Sequence, residues 1–551
     1  MLFYAPESFI ASTTLLLGIF LYVEIHYRAG YLPSRYYRSE PEILADAPRR
    51  IEPGLPIPVF LIVKDAHRYP IFLHKVLLVI EYDRGTRSTL EIPLNISIAE
   101  RWWHHSLEVE RPDFEGEIRL RIVFHYKRNG IHRTCHVHNI RSLRPAPLHI
   151  YLADESLPGE NTIWGDLHHH TWFTEDMIEF GAPLDTVARS AQAMGLDFVA
   201  ATDHSYDLDD KPGEWRKQDH YLTKWHQSRR QIIRLNADDK GPVLIPGEEV
   251  TIQNANGRNV HLLVLGNEDY LPGSGDSGEH PLRTKSELSL GSLSTWDSPD
   301  IVVIAAHPFQ PVSLMQCVLI SRDIWKDSDI DNPVLDGLQI LNGRIDDGFH
   351  TGLDRWIQLL LKGTRKYIYA GSDAHGDFNI HRQIKIPFLS LEECESNTLG
   401  YCRTGVLGIQ PHSLPDLLSG LKAGRCIIST GPFISISVIT PTHEATIGET
   451  IPGQSVKVVA QMRSSREFGP VARFKLLRGI IGHTSEEVLI DLKFSTKKYN
   501  AEYSHPLASA SGNYYIRAEL YCLRESSPGS IERQDSFAIT NPIWVESAVM
   551  Q

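Results

Sequence analysis

The sequence predicts a central α/β region, built as a barrel or an open sheet, flanked on both sides by β-sandwich domains. Three observations lead there. Short β-branched runs alternate with helical segments between residues 159 and 432, which indicates parallel strand pairing. Residues 45–158 and 433–551 instead read as successive strands separated by turn signals. A chain of 551 residues is also too long for one hydrophobic core, so several domains are expected.

The elements follow in order. Residues 1–44 form a hydrophobic segment and linker, with an uncharged stretch from Ser8 to Val23. That stretch falls short of the roughly 20 residues that span a bilayer. No Lys or Arg precedes it, which argues against a secretory signal. Arg28, Arg35 and Arg38 follow it, so a membrane anchor through residues 9–25 would leave the rest of the chain cytoplasmic. The other reading is a buried helix or strand packed on the first domain. Within 45–158, Ile57 to Val63 and Lys75 to Tyr82 are strand-like, and Glu117 to Ile122 alternates polar and apolar with period two. Asn129-Gly130 supplies a two-residue hairpin turn.

In the central region the expected strands are Phe198 to Thr202, Val243 to Pro246, Val260 to Leu265, Ile301 to Ala306, Leu338 to Leu341 and Tyr367 to Ala370. Leu184 to Met194, Asp354 to Lys362 and Leu414 to Lys422 are the expected helices, and the Gly/Ser/Pro-rich residues 271–281 an inserted loop. Ser455 to Met462, Ala472 to Ile480, Glu486 to Phe494 and Asn513 to Cys522 then suggest the second sandwich.

Composition narrows the function. Apolar content of 42% and charged content of 22% are those of a globular protein with proper cores. A net charge of −13 gives no general attraction to a phosphate backbone, so no nucleic-acid partner is expected and a small-molecule substrate is. Six scattered cysteines without C-x-x-C spacing read as free thiols in a reducing, cytoplasmic compartment, although Cys394 and Cys402 could bridge a loop.

Histidine carries the chemistry. In Gly165-Asp166-Leu167-His168-His169-His170-Thr171, alternate side chains of a strand share a face, so His168 and His170 point together and His169 points away. Asp176, or its neighbour Glu175, follows on a loop and can return as an oxygen ligand. Thr202-Asp203-His204, Gly247-Glu248-Glu249, His307-Pro308 and Asp373-Ala374-His375 each end a predicted strand, and His261 opens one. Chemistry collected at the C-terminal ends of strands is the habit of α/β barrels, because the loops there converge on one mouth. Imidazole mixed with carboxylate suits Zn, Mn or Fe, and the absence of cysteine ligands argues against a purely structural zinc. So many ligands exceed what one ion takes, so two or three divalent cations are implied. Glu249 is the natural bridge between them; Glu248 should face away. Arg258 and Arg382 lie near these motifs and are candidates to clamp an anionic substrate. His132, His136 and His138 share a face in the N-terminal domain without carboxylate spacing and read as solvated.

Taken together, the H-x-H, T-D-H, G-x-E, H-P and D-x-H blocks resemble the PHP (polymerase and histidinol phosphatase) family over residues 163–432. Leu421-Lys422-Ala423-Gly424-Arg425 and Ser429-Thr430-Gly431-Pro432 resemble its carbaryl-hydrolase-like branch. The resemblance implies a distorted (β/α)7 barrel holding two or three metal ions on His168, His170, His204, Glu249, His261, His307, Asp373 and His375. The sequence departs from many relatives where they have Ser-Asp-Gly, so the acidic ligand is open by one position, with Asp176 preferred to Glu175. The expected activity is ester hydrolysis by a metal-bound hydroxide, with Glu249, His307 and Asp373 at its centre. A phosphoesterase is favoured; a carboxylester or carbamate hydrolase and a non-catalytic membrane-associated binding module are the alternatives. No G-x-S-x-G elbow or P-loop supports other chemistry.

Overall fold

The computed structural model describes residues 40–546 except 83–84, 140–144, 176–180, 239, 278–283, 294–297, 376–377, 381–382, 387–388, 393–394, 410–412, 454–455, 508–511 and 525–534. The hydrophobic stretch 9–25 lies outside the described residues. Among those described, no helix is long and apolar enough to cross a membrane.

The N-terminal part folds because long strands alternate apolar and polar residues. Ile71–Tyr82 pairs antiparallel with Arg87–Ile98 and Gly116–Arg128. Asn129-Gly130, with φ of 48° and 80°, turns the last of these into Ile131–His136, as the two-residue turn requires. A second sheet of Glu42–Asp46, Ile57–Lys64 and Trp102–Val109 faces it. Ile118, Leu120 and Ile122 from one sheet meet Val59, Leu61 and Val63 from the other in one core. Each such side chain contributes about 1.5–3 kcal/mol on burial.

In the central region, Thr162–His170, Phe198–Ala201 and Val243–Gln253 are parallel neighbours, and so are Val302–Ala305, Gly337–Asn342 and Tyr367–Gly371. Asn259–Leu265 runs antiparallel between the two sets. Just past Tyr367–Gly371, the short strand Ala374–His375 pairs with His169 and His170, so the first and last strands of this region meet. Gly371 allows that closeness, because a Cβ there would lie 2.6 Å from the Cβ of His168. The helices Leu184–Met194, Thr223–Asn236, Asp347–Leu361 and Leu414–Lys422 pack outside. The first buries Leu184, Val187, Ala191 and Met194 on one stripe and stops at Gly195, whose φ of 79° suits only glycine well.

The expected fold class, an α/β barrel of (β/α)7 type bounded by two separate sandwiches, is corrected here. Strand holds 46% of the described residues against 15% for helix, so the protein is mainly β. Residues 254–258 make a tight hairpin where a parallel unit would need a crossover helix. Arg403–Leu407 and Cys426–Ser429 add antiparallel strands beside Thr162–His170. The sheet then continues through Ser536–Thr540 and Tyr514–Cys522, giving 16 strands in all. Apolar β-branched runs look alike in parallel and antiparallel sheets, which is why their spacing misled.

The C-terminal strands Phe433–Ile439, Val456–Arg463 and Asn500–Leu507 form a sheet of their own. Ile434, Ile436, Val458 and Ala460 from it share a core with Phe474, Leu476, Ile516 and Ala518 from the 16-stranded sheet. Cys135, Cys317, Cys402, Cys426 and Cys522 are free thiols, and Cys394 lies outside the described residues.

Candidate metal centre

Three consecutive histidines end the strand Thr162–His170, and the pleat divides them. His168 and His170 face the centre, with their Nε2 atoms 3.2 Å apart. His169 points the other way, fully buried, and neither of its ring nitrogens has a hydrogen-bond partner. Burial holds its pKa well below the usual imidazole range. The strand end is braced by two carboxylates. Asp166 accepts the backbone N–H groups of His168, Ser372 and Gly400. Asp203 accepts both the backbone N–H and the hydroxyl of Thr171 (2.6 and 2.8 Å) and of Thr174 (3.1 and 2.9 Å).

Glu249 lies at the middle of the cluster with 1% of its surface exposed. Its Oε2 stands 2.9 Å from His204 Nδ1, 3.3 Å from His170 Nε2 and 3.5 Å from His168 Nε2. Its Oε1 stands 2.5 Å from His261 Nδ1 and 3.0 Å from His307 Nε2. Asp373 Oδ1 completes one side, 3.2 Å from His168 Nε2 and 3.3 Å from His170 Nε2. His375 stacks on His170 with ring centroids 4.2 Å apart. Three overlapping groups result: His168, His170, Glu249 and Asp373; His204, Glu249 and His261; and His170, His204 and His375.

The spacing fits cations. Donors bonded to one ion at about 2.0–2.2 Å stand roughly 3.0–3.5 Å from each other. The distances of His168 and His170 from each other and from the oxygens of Glu249 and Asp373 fall in that range. Supporting contacts orient the donors too. His168 Nδ1 donates to Gln339 Oε1 at 2.9 Å, which leaves the Nε2 lone pair facing inward. Asn342 Nδ2 donates to Asp373 Oδ2 at 3.0 Å. His307 and Asp373 sit in left-handed backbone, with φ of 29° and 56°. Such strain, on the order of 1–3 kcal/mol per residue, persists where surroundings enforce it, commonly at functional sites.

The charges are strongly coupled. Burial alone would lower the pKa of His168, but the carboxylates of Asp373 and Glu249 raise it to about 9. Burial wins at His307, whose pKa falls to about 4. Burial opposes ionisation of Glu249 and Asp373, yet the surrounding imidazoles hold both well below the usual carboxylate range.

The structure thus gathers His168, His170, His204, Glu249, His261, His307, Asp373 and His375 from six separate strands and strand ends. Asp176 and Arg382 lie outside the described residues. Glu175 is drawn away from the centre toward the N-terminal domain, bonding Arg101 Nη2 at 2.6 Å with Lys64 Nζ 3.8 Å away. Arg258 turns to Cys317, donating to its carbonyl oxygen at 3.1 Å. Glu248 faces away as expected, accepting from Trp225 Nε1 and Arg229 Nη2. Sequence reasoning missed Asp276, Arg322, Gln339 and Asn342. Asp276 belongs to the loop recognised at 271–281; Arg322 carried no signal at all.

No family model matches this sequence, and no curated protein matches it. A glycosyl hydrolase family 2 member from Bacteroides cellulosilyticus DSM 14838 shares 12% identity at a TM-score of 0.16, covering 92% of this chain and 63% of that one. A beta-D-mannosidase from Dictyoglomus thermophilum shares 7% identity at a TM-score of 0.21, covering 92% and 77%. The chain thus spans less than two thirds of the first of these. At such TM-scores the likeness bears on neither fold nor chemistry.

Proposed function

We propose that this protein is a metal-dependent hydrolase of ester bonds, acting on a small phosphate ester. One observation carries the reading: the inward-facing donors of His168 and His170 stand 3.2 Å apart and 3.2–3.5 Å from carboxylate oxygens of Glu249 and Asp373, all four within 4.8 Å of one another. That is the separation of ligands around a shared cation; neutral imidazoles and carboxylates packed this closely repel unless a metal ion or protons lie between them, and the carboxylates do raise the pKa of His168 to about 9. The order of the motif blocks, which resembles the PHP family, supports the same reading.

Two or three divalent ions of Zn, Mn or Fe held here would lower the pKa of a water to about 7 and offset negative charge on a substrate. The chain's own residues do the rest. Glu249 presents one oxygen to each of two groups of imidazoles and keeps them in register. His168 is oriented by Gln339, and Asp373 by Asn342. His307 stays neutral at physiological pH because burial has lowered its pKa to about 4, so it remains a competent ligand. A centre this rich in cations favours a dianionic ester over a neutral one.

The test is hydrolysis of nitrophenyl phosphate and nitrophenyl acetate by the purified chain loaded with Mn or Zn. Phosphate hydrolysis that disappears on chelation and returns with metal is expected. Turnover that survives complete metal removal would overturn the proposal.

A further inference from the structure

Beside the centre sits an ion pair that the hydrolytic reading does not use. Asp276, with a side chain 3% exposed, accepts a hydrogen bond from Thr251 Oγ1 at 2.6 Å and lies 2.9 Å from His261 Nε2. Arg322 Nη1 donates to the same carboxylate at 2.6 Å, and its guanidinium also touches both ring nitrogens of His261. The backbone places it firmly. Asn259, two residues before His261, forms an isolated bridge with Arg322 and exchanges bonds with Ser321 and Asp323 on either side.

Arg322 is a cationic side chain bonded directly to His261, one of the gathered candidate ligands. That position needs a reason, because a guanidinium next to gathered dications is repelled by them. Asp276 offsets part of the cost. The rest points to an anion that arrives with the substrate. Arg322 keeps 17% of its side chain exposed, so the residue lies at the edge of the buried cluster. Its planar fork matches two oxygens of a phosphate, which an ammonium does not. In the same arrangement His261 would donate Nε2–H to Asp276 and turn Nδ1 to the centre, the usual way a carboxylate fixes a ligating imidazole.

We infer that Arg322 is the substrate-binding residue that clamps the non-bridging oxygens of a phosphate ester, with Asp276 positioning both it and His261. The inference rests on the hydrolytic reading above and assigns the residue that grips the phosphate group named there. It places selectivity for phosphate over neutral esters in one side chain, beside His261.

The experiment compares wild type, R322Q and R322K as full-length, metal-loaded protein. Three quantities are read: kcat/KM on nitrophenyl phosphate and on nitrophenyl acetate, calorimetric binding of inorganic phosphate, and metal content. R322Q should lose roughly ten- to a hundredfold in the phosphate-to-acetate ratio of kcat/KM, the worth of a hydrogen bond between charged groups. Phosphate binding should weaken by a similar factor while metal content holds, and R322K should fall between. Equal losses on both esters with falling metal content would make Arg322 a support for His261 only and overturn the inference. Unchanged phosphate binding in R322Q would overturn it as well. Should wild type hydrolyse neither ester, the hydrolytic proposal fails, and phosphate binding to metal-loaded wild type and R322Q still decides the clamp.

Discussion

Replacing Glu249 with glutamine perturbs the centre with the least change in shape. The wild-type side chain offers Oε2 to His168, His170 and His204 within 3.5 Å, and Oε1 to His261 and His307 within 3.0 Å. Glutamine keeps the volume, but whichever way its amide turns, an NH2 group replaces one oxygen, and that group has no lone pair to share. One set of imidazoles therefore loses its carboxylate partner. Changing a mere supporting contact at a metal site weakens binding by about 10–100-fold, so loss of a bridging donor should reach at least the upper figure. At free metal a hundred times the wild-type dissociation constant, bound metal stabilises the wild type by about 2.7 kcal/mol. A variant weakened a hundredfold retains only about 0.4 kcal/mol under the same conditions. The assay is the shift in thermal midpoint on adding chelator. Wild type should drop by about 5 °C or more, at roughly 2–4 °C per kcal/mol for a unit of a few hundred residues. E249Q should barely move. Equal chelator shifts in the two proteins, or none in either, would refute the reasoning.

Asp203→Ala removes four hydrogen bonds from a carboxylate that is 1% exposed, strands the buried N–H of Thr171 and leaves that of Thr174 only its 3.1 Å bond to the Thr171 carbonyl oxygen. Chemical denaturation should show a loss of about 2–5 kcal/mol, and elemental analysis a reduced metal content; a variant as stable as wild type would contradict the bracing role. His169→Leu should leave metal content unchanged, whereas His170→Ala should lower it, because the pleat turns those neighbours to opposite sides. Lys366 donates to the carbonyl oxygens of Asn332 and Leu335, and burial lowers its pKa to about 8. Between pH 8 and its ordinary value of 10.5 the unfolded chain therefore holds the extra proton, so this residue's contribution to stability rises with pH across that window and is flat below it. Denaturation midpoints taken from pH 7 to 10 should carry that upward component in wild type and lack it in Lys366→Met; identical profiles would contradict it.

What could be read from the sequence divides along physical lines. The split between His168, His170 and His169 follows from a period of two and needs no tertiary knowledge, and the structure reproduces it. Most strands of the central and C-terminal regions stand within a residue or two of their expected positions, because β-branched apolar runs bounded by turns mark strands wherever they occur. The same runs say nothing about direction. The antiparallel placement of Asn259–Leu265, and the passage of one sheet from Cys426–Ser429 into Ser536–Thr540, depend on pairing between distant segments. That is where the fold class went astray. The side chains missed at the centre fail for a related reason. Arg322 reaches His261 across 61 residues of chain, and Gln339 reaches His168 across 171. Spacing left Glu175 open as the alternative to Asp176, and only the fold reveals Lys64 and Arg101 beside it.

The most direct measurement is anomalous diffraction at the Mn and Zn edges from crystals of the metal-loaded chain. Two or three peaks within the cluster are predicted, two of them within bonding distance of the Glu249 oxygens and one of those shared with His168, His170 and Asp373. Peaks confined to other parts of the surface, with the imidazoles around Glu249 bound to nothing but one another and water, would contradict the account.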